Sequence, residues 1–474
     1  LPPPEINPDS LDLAALKVIA RLRRYGHAAY LVGGCVRDLL VGAHPKDYDV
    51  ATSAHPEAIR EVFRNSRLIG RRFRLAHVYF PGGHFVEVAT FRASPVPEAD
   101  PDGDGTGDLL VTDDNQFGTA EEDARRRDFT VNGLFYDVVA GRVIDYVGGR
   151  EDLRLARIRT IGDPEIRFRE DPVRGLRAAR IAAKLRFQID EQTFAAMVRH
   201  AGELPRCAPA RVLDETLKLL RSGASSPAFR TLRRANLLAY LLPSLDEVIA
   251  QGGSEMEAAF LHRLAALDAR VAQGEPVSDA VSLAVLLSFL PWAPGSPQGE
   301  AEEEEPEDLA RAMPSADQVL SRMSADARLP RRVADRVRTI IAAQRIFLAP
   351  PKRRRRGSGG FVRAPHFADA LELFELASRA TGQHADVVAR WKAKVAQAAS
   401  RPATVSEEPV VAVRSEASSD GPAPDALAAA NSPPAAADGT IAPPKKRRRR
   451  GGRRRRKPEG AATTPPAPPA GGAS

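Results

Sequence analysis

The sequence predicts an α+β chain, with a small mixed-sheet head, an elongated all-helical neck and body, and a disordered basic tail. Three observations predict it. Short β-like runs alternate with helical periodicity only in about the first 150 residues. Beyond residue 159 the apolar spacing is helical, continuing to about residue 348. From residue 401 onward Ala, Pro, Ser and Gly dominate and no periodicity remains.

Composition sets the outer bounds. At roughly 100–200 residues per domain, the length implies two to four domains. Hydrophobic residues make up 43% of the 474, enough for a sizeable core, while 39 prolines and 6% aromatics leave part of the chain outside it. Two cysteines, Cys35 and Cys207, cannot build a disulfide framework and fit a reducing compartment. The opening residues lack a basic n-region and an apolar h-region, so no secretory signal is expected. The most apolar stretch, 281–290, is too short to span a bilayer. Secreted mini-proteins, collagen-like chains and membrane proteins are therefore excluded, and a cytoplasmic protein is expected.

The net charge of +8 hides an asymmetry. Lys352, Arg353, Arg354, Arg355 and Arg356 form one basic tract. Lys445, Lys446, Arg447, Arg448, Arg449, Arg450, Arg453, Arg454, Arg455, Arg456 and Lys457 form a second. Without these sixteen cations the net charge would be −8. Such runs repel themselves and have nothing apolar to bury. Opposite a polyanion they release counterions, which gives salt-sensitive, sequence-blind affinity. They read as nucleic-acid contacts, with a solubility tail or non-specific anion sink as the plainer alternative and a membrane surface as the lesser one.

Each element has a local cause. Residues 1–9 form a loose Pro-rich arm, and Ser10 is placed to cap a helix running to about residue 25, closed by Gly26. Strands are expected at 28–32, 48–51, 75–80 and 85–91, the last two joined through Pro81-Gly82-Gly83. Short helices fill 36–40 and 56–63. Residues 93–114, rich in Asp, Gly and Pro, form a loop. Thr119 and Glu122 make a capping box ahead of Arg125–Asp128, and a further hairpin turns at Ala140-Gly141. The resulting division is an arm at 1–9, a head at 10–150, a neck at 151–225 and a body at 226–348. A basic linker at 349–364, C-terminal helices at 365–400 and the tail at 401–474 complete it.

Three features of the head carry chemistry. Gly33-Gly34-Cys35-Val36-Arg37-Asp38 follows an apolar strand and opens a helix. Adjacent glycines let backbone N–H groups approach a phosphate, and Arg37 adds a cation. Asp47-Tyr48-Asp49 places two carboxylates at i and i+2, on one side of a strand. Their repulsion is relieved by a hard cation such as Mg²⁺. Arg125-Arg126-Arg127-Asp128-Phe129-Thr130-Val131-Asn132 offers a third acid in Asp128, with Arg127 and Asn132 for triphosphate and ribose. In that order the three features follow the logic of two-metal nucleotidyl transfer. Taken singly, each has a plainer reading as a turn, an acidic edge or a basic helix face. Cys35 reads as a small buried residue, not a nucleophile.

With Glu170-Asp171-x-x-Arg174 and Asp145-Tyr146-Val147-Gly148-Gly149, these motifs resemble, in order, the class II nucleotidyltransferases of the polymerase β superfamily. That family includes bacterial poly(A) polymerases and CCA-adding tRNA nucleotidyltransferases. The resemblance covers about residues 20–225 and implies a catalytic head holding two Mg²⁺ ions. It assigns Asp47 and Asp49 to metal and Asp128 to the third acidic position, a place also given to ribose recognition. It assigns Gly33, Gly34, Arg37 and Arg127 to the triphosphate, and Asp171 and Arg174 to the base edge. Arg177 and Arg180, further along the same helix, would face phosphates.

The segment Leu68-Ile69-Gly70-Arg71-Arg72-Phe73-Arg74-Leu75-Ala76-His77-Val78 is similar to the poly(A) polymerase branch, as is the run from Asp114 to Asp123. That branch implies ATP as substrate, RNA 3′ ends as partner, RNA-decay proteins as further partners and a monomeric assembly. Two departures are an unusually acidic 93–114 loop and Gly133, where a slightly larger small residue is common. CCA addition is the alternative, and an inactive RNA-binding protein on a transferase scaffold is the weaker one.

Overall fold

Helix α1 (Leu13–Arg24) leads into the head, burying Ala15, Val18, Ile19 and Leu22 along one stripe. Its cap is Asp12, whose carboxylate accepts from the Ala15 N–H at 2.7 Å. The expected cap, Ser10, instead closes a 3-10 turn at Pro8–Ser10, where its hydroxyl donates to the Asn7 carbonyl at 2.6 Å. This computed structural model describes residues 5–70, 75–93, 116–291, 315–326, 329–349 and 358–399. Both basic tracts, the tail, most of the 93–114 loop and the acidic patch at 302–305 lie outside the described residues.

The head continues with β1 (Ala29–Val32), α2 (Gly34–Leu40), β2 (Asp49–Thr52) and α3 (Pro56–Val62). Then come β3 (Ser66–Ile69), β4 (Leu75–Tyr79), β5 (Phe85–Thr90), α4 (Ala120–Arg126), β6 (Leu134–Asp137) and β7 (Arg142–Asp145). Among the described residues these seven strands form one sheet in the order β3-β4-β5-β2-β1-β6-β7. Its one parallel pair there is β2 with β5; the other neighbours are antiparallel. Strand β3 was not expected from sequence, because four residues give too little alternation to register.

Val50, Ala76, Val78, Val86 and Val88 pack with Val18, Ile19 and Leu22 of α1 and Ile59 and Val62 of α3 in one core. The alternate residues of β4 and β5, including His77, Tyr79, Phe85 and Glu87, are half-buried or exposed. One face of the sheet therefore lies under α1 and α3; the other is covered by α4 around Val32, Ala51, Phe91 and Phe135 and is partly exposed at β4 and β5.

From α5 (Gly149–Arg154) onward the regular elements among the described residues are helices, except for β8 (Arg157–Ile158) and β9 (Gln188–Ile189), a short parallel pair. The helices are α6 (Pro164–Glu170), α7 (Arg174–Leu185), α8 (Glu191–Arg199), α9 (Pro209–Leu220), α10 (Ser225–Arg234) and α11 (Leu238–Leu241). There follow α12 (Pro243–Gln251), α13 (Gly253–Ala272), α14 (Asp279–Val285), α15 (Ala316–Asp326) and α16 (Arg331–Leu348). Last come α17 (Ser358–Val362), α18 (Phe367–Thr381) and α19 (Ala385–Ala399). Phe129 and Val131 of the head join Phe168, Leu176 and Ala179 in the large helical core. The motif that carries Asp128 is thus fixed by burial in the neck. Among the described residues, no helix is long and apolar enough to cross a membrane.

Candidate active site

Gly33 ends β1 with φ +74°, a left-handed conformation that a side chain would strain. A Cβ there would stand 3.0 Å from Arg127 Nη1. Glycine therefore lets the Arg127 guanidinium close over the strand-to-helix turn. Arg127 is held from behind by Asp123, which is 3% exposed. Asp123 accepts from Arg127 Nε at 3.1 Å and Nη2 at 2.8 Å, from Arg126 Nε at 3.3 Å and from the Arg92 N–H at 3.2 Å. Sequence reasoning missed Asp123. Its signal is the i, i+3 and i, i+4 spacing to two arginines on a capped helix.

Asp49 opens β2 and is half-buried, whereas Asp47 precedes the strand and is exposed. The expectation that one strand presents both carboxylates is corrected here, because the strand begins at Asp49. What the sheet sets beside Asp49 is Glu87, directly opposite it in the parallel β2–β5 register. Burial first, then the Glu87 carboxylate, push the Asp49 carboxyl up to about 6; Arg127 opposes and Asp47 adds to the rise. Glu87 is raised too, by burial and by Asp47, against Lys218 and Arg92. Mutual repulsion of this kind is what a bound cation relieves. Mg²⁺ takes one or two protein carboxylates and fills its shell with water and substrate phosphate. Among the described residues, no three Asp, Glu, His or Cys side chains form a ready-made cage. The donor set fits an ion that arrives with a nucleotide.

Asp128 is not one of the carboxylates acting on Asp49. It is 5% exposed, accepts from the Phe129 N–H at 2.8 Å and Asn132 Nδ2 at 3.0 Å, and pairs with Arg177 of α7 at 2.9 Å. Burial by itself would raise its carboxyl; Arg177, Asn132 and the Phe129 amide outweigh burial and hold it below the usual range. Oδ2 joins the ion pair but accepts no hydrogen bond. The geometry therefore sets Asp128 against α7 and sets Glu87 beside Asp49.

Asn132 Oδ1 accepts from Arg37 Nη1 at 2.6 Å. Arg37 also grips Asp38 at 2.8 and 2.5 Å, and Asp38 pairs with Lys184 of α7 at 3.0 Å. Two polar chains thus run from the glycine turn to α7, one ending at Arg177 and one at Lys184. Arg37 was expected to touch triphosphate directly. It is 6% exposed, and its Nη2 lies 3.6 Å from where a Gly34 Cβ would be, so it backs the turn from inside.

At the neck, Asp171 Oδ2 accepts from Arg211 Nη2 of α9 at 2.8 Å, while its buried Oδ1 has no partner. Arg174 donates to the Arg167 carbonyl at 2.6 Å and to Glu170 at 3.0 Å. Arg177 and Arg180 were expected to face phosphates. They stand on α7 paired with Asp128 and with Glu215, the latter at 2.5 Å. Cys35 is 2% exposed and its thiol donates to the Val32 carbonyl at 3.2 Å. Burial, then Asp49, push that thiol up to about 12, which makes it inert.

A glycine turn under an arginine, opposed carboxylates on a mixed sheet and an adjoining helical neck define a nucleotidyltransferase. Residues 29–159 match the family described as "Poly A polymerase head domain", and residues 186–249 that described as "Probable RNA and SrmB- binding site of polymerase A". Poly(A) polymerase I of Salmonella typhi is 40% identical over 370 residues, covering 76% of this chain and 77% of the relative. That of Escherichia coli O6:H1 is 46% identical over 279 residues, 58% and 60% of the two chains. The chain belongs to the poly(A) polymerase family. The crystal structure of the Bacillus stearothermophilus CCA-adding enzyme in complex with CTP has the related fold, with a TM-score of 0.58, 27% identity and 81% of each chain covered.

Proposed function

We propose that the chain is a template-independent polymerase that adds AMP from ATP to RNA 3′ ends. The observation that carries the chemistry is Asp49 facing Glu87 beside the turn that Arg127 covers. The poly(A) assignment over CCA addition rests on the relative that is 40% identical across three quarters of both chains.

In the reaction the RNA 3′ oxygen attacks the α-phosphorus of ATP. A P–O bond forms to the RNA, the bond to the β-phosphate oxygen breaks, the hydroxyl proton is lost and pyrophosphate leaves. Bound Mg²⁺ supplies charge neutralisation at the attacking and departing oxygens. Asp47, Asp49 and Glu87 are the residues we assign to hold it. Gly33 and Gly34 let backbone N–H groups reach the triphosphate, and Arg127 stabilises charge on the leaving group. Asp128 and Asn132 serve the ribose. Asp171 Oδ1 accepts from the base amino group and Arg174 donates to a ring nitrogen. Arg177 and Arg180 keep Asp128 and Glu215 in place.

We assign residues 10–150 to the catalytic head, 151–225 to a base-reading neck and both basic tracts to RNA backbone contacts in a cytoplasmic enzyme. Deleting 440–474 should then flatten the salt dependence of RNA binding without removing catalysis. The deciding experiment is primer extension with Mg²⁺. A long ladder on a generic RNA with ATP alone is the expected result. Extension confined to tRNA lacking its 3′ end, stopping after C, C and A, would make the chain a CCA-adding enzyme.

A further inference from the structure

The partly exposed β5–β4–β3 end of the sheet face opposite α1 and α3 carries more than carboxylates. Register places Asp49 opposite Glu87, Glu87 opposite His77, and His77 opposite Arg67. Directly opposed residues share a face, so these four form a ladder across β2, β5, β4 and β3. Two further rings, Phe85 and Tyr79, stand beside His77 of the ladder. His77 stacks on Phe85 with centroids 4.2 Å apart and planes 14° apart, and Tyr79 lies 6.0 Å from Phe85. Phe85 keeps 43% of its surface exposed. It is two residues from Glu87 on the same strand, about 7 Å along it.

We propose that the Phe85–Tyr79–His77 cluster is the stacking platform for the 3′-terminal nucleotide of the RNA, with Arg67 beside it for a backbone phosphate. The inference rests on the polymerase reading above. Sheet order argues for this occupant. The glycine turn follows β1 and Arg127 lies above it, on one side of Asp49. Strands β5 and β4, with the three rings, lie on the other side. In-line transfer needs the attacking hydroxyl and the departing pyrophosphate on opposite sides of the phosphorus. The triphosphate occupies the Gly33 side, so the RNA end belongs on the ring side. Aromatic stacking accepts any base, which suits an enzyme extending varied 3′ ends.

The test uses the full chain and a short unstructured oligoribonucleotide ending in 2-aminopurine. In the wild type, binding without ATP should quench the 3′ fluorophore. Phe85→Ala should lose the quench and raise the KM for RNA about tenfold, with the KM for ATP unchanged. Phe85→Tyr should restore both. Unchanged quench and KM in Phe85→Ala would overturn the platform and leave the rings as ordinary cross-strand packing. So would a change falling on ATP in place of RNA. Failure of the underlying polymerase reading shows separately, as absence of AMP incorporation by the wild type.

Discussion

Glu87 lies directly opposite Asp49 across the parallel pair of β2 and β5, and that pairing joins segments nearly forty residues apart into one acidic site. Glu87→Gln keeps the shape and removes one charge. We expect AMP incorporation to fall by at least about a hundredfold. Single-turnover rates at saturating ATP and RNA check this; a loss under threefold would remove Glu87 from the metal set.

The same pair sets a pH dependence. With the Asp49 carboxyl raised to about 6, it gains a proton as pH falls below that value, and metal must then displace the proton. Apparent Mn²⁺ affinity with a non-hydrolysable ATP analogue should weaken about tenfold per pH unit below that point. Removing the like charge in Glu87→Gln favours ionised Asp49 and moves the break to lower pH. Calorimetric titrations between pH 5 and 7.5 test both statements, and a flat profile contradicts them.

Asp171 keeps a buried Oδ1 without a hydrogen-bond partner while Arg211 holds its Oδ2. Arg211→Ala frees the carboxylate to rotate. The preference for ATP over CTP, read as the ratio of kcat/KM values, should shrink about tenfold. An unchanged ratio would show that α9 does not position the base reader.

Asp123 orients Arg127 through two hydrogen bonds. Asp123→Asn should raise the KM for ATP about ten- to hundredfold while the KM for RNA stays near wild type. Equal losses in both constants would point to general unfolding of α4.

Gly133 has a steric reason. A Cβ there would meet Val147 Cγ2 at 2.6 Å. Gly133→Ala should cost about 1–3 kcal/mol of stability, recovered in part by Val147→Ala. Thermal melts of the single and double variants decide it.

Much of the fold was legible because it rests on local signals. Thr119 and Glu122 form the expected capping box, and the hairpin closing at Ala140-Gly141 is present as β6 and β7. The site was legible where residues adjacent in sequence make it, as at Gly33-Gly34 and Asp49. Glu87 was not, because only the β2–β5 crossover brings it to Asp49, and a lone Glu inside an alternating strand looks like a solvent-facing residue. The acidic partners of Arg37, Arg177 and Arg180 were hidden for a related reason. A cation near a phosphate motif reads as a phosphate ligand until its acidic partner, supplied by another segment, is seen.

The two polar chains from the glycine turn reach α7 at Arg177 and Lys184, seven residues apart. On a helix that is two turns, about 10 Å. A helix held at two such points resists pivoting about either one. The glycine turn and α7 are therefore braced together, so a shift of the turn is carried into the helix that begins at Arg174.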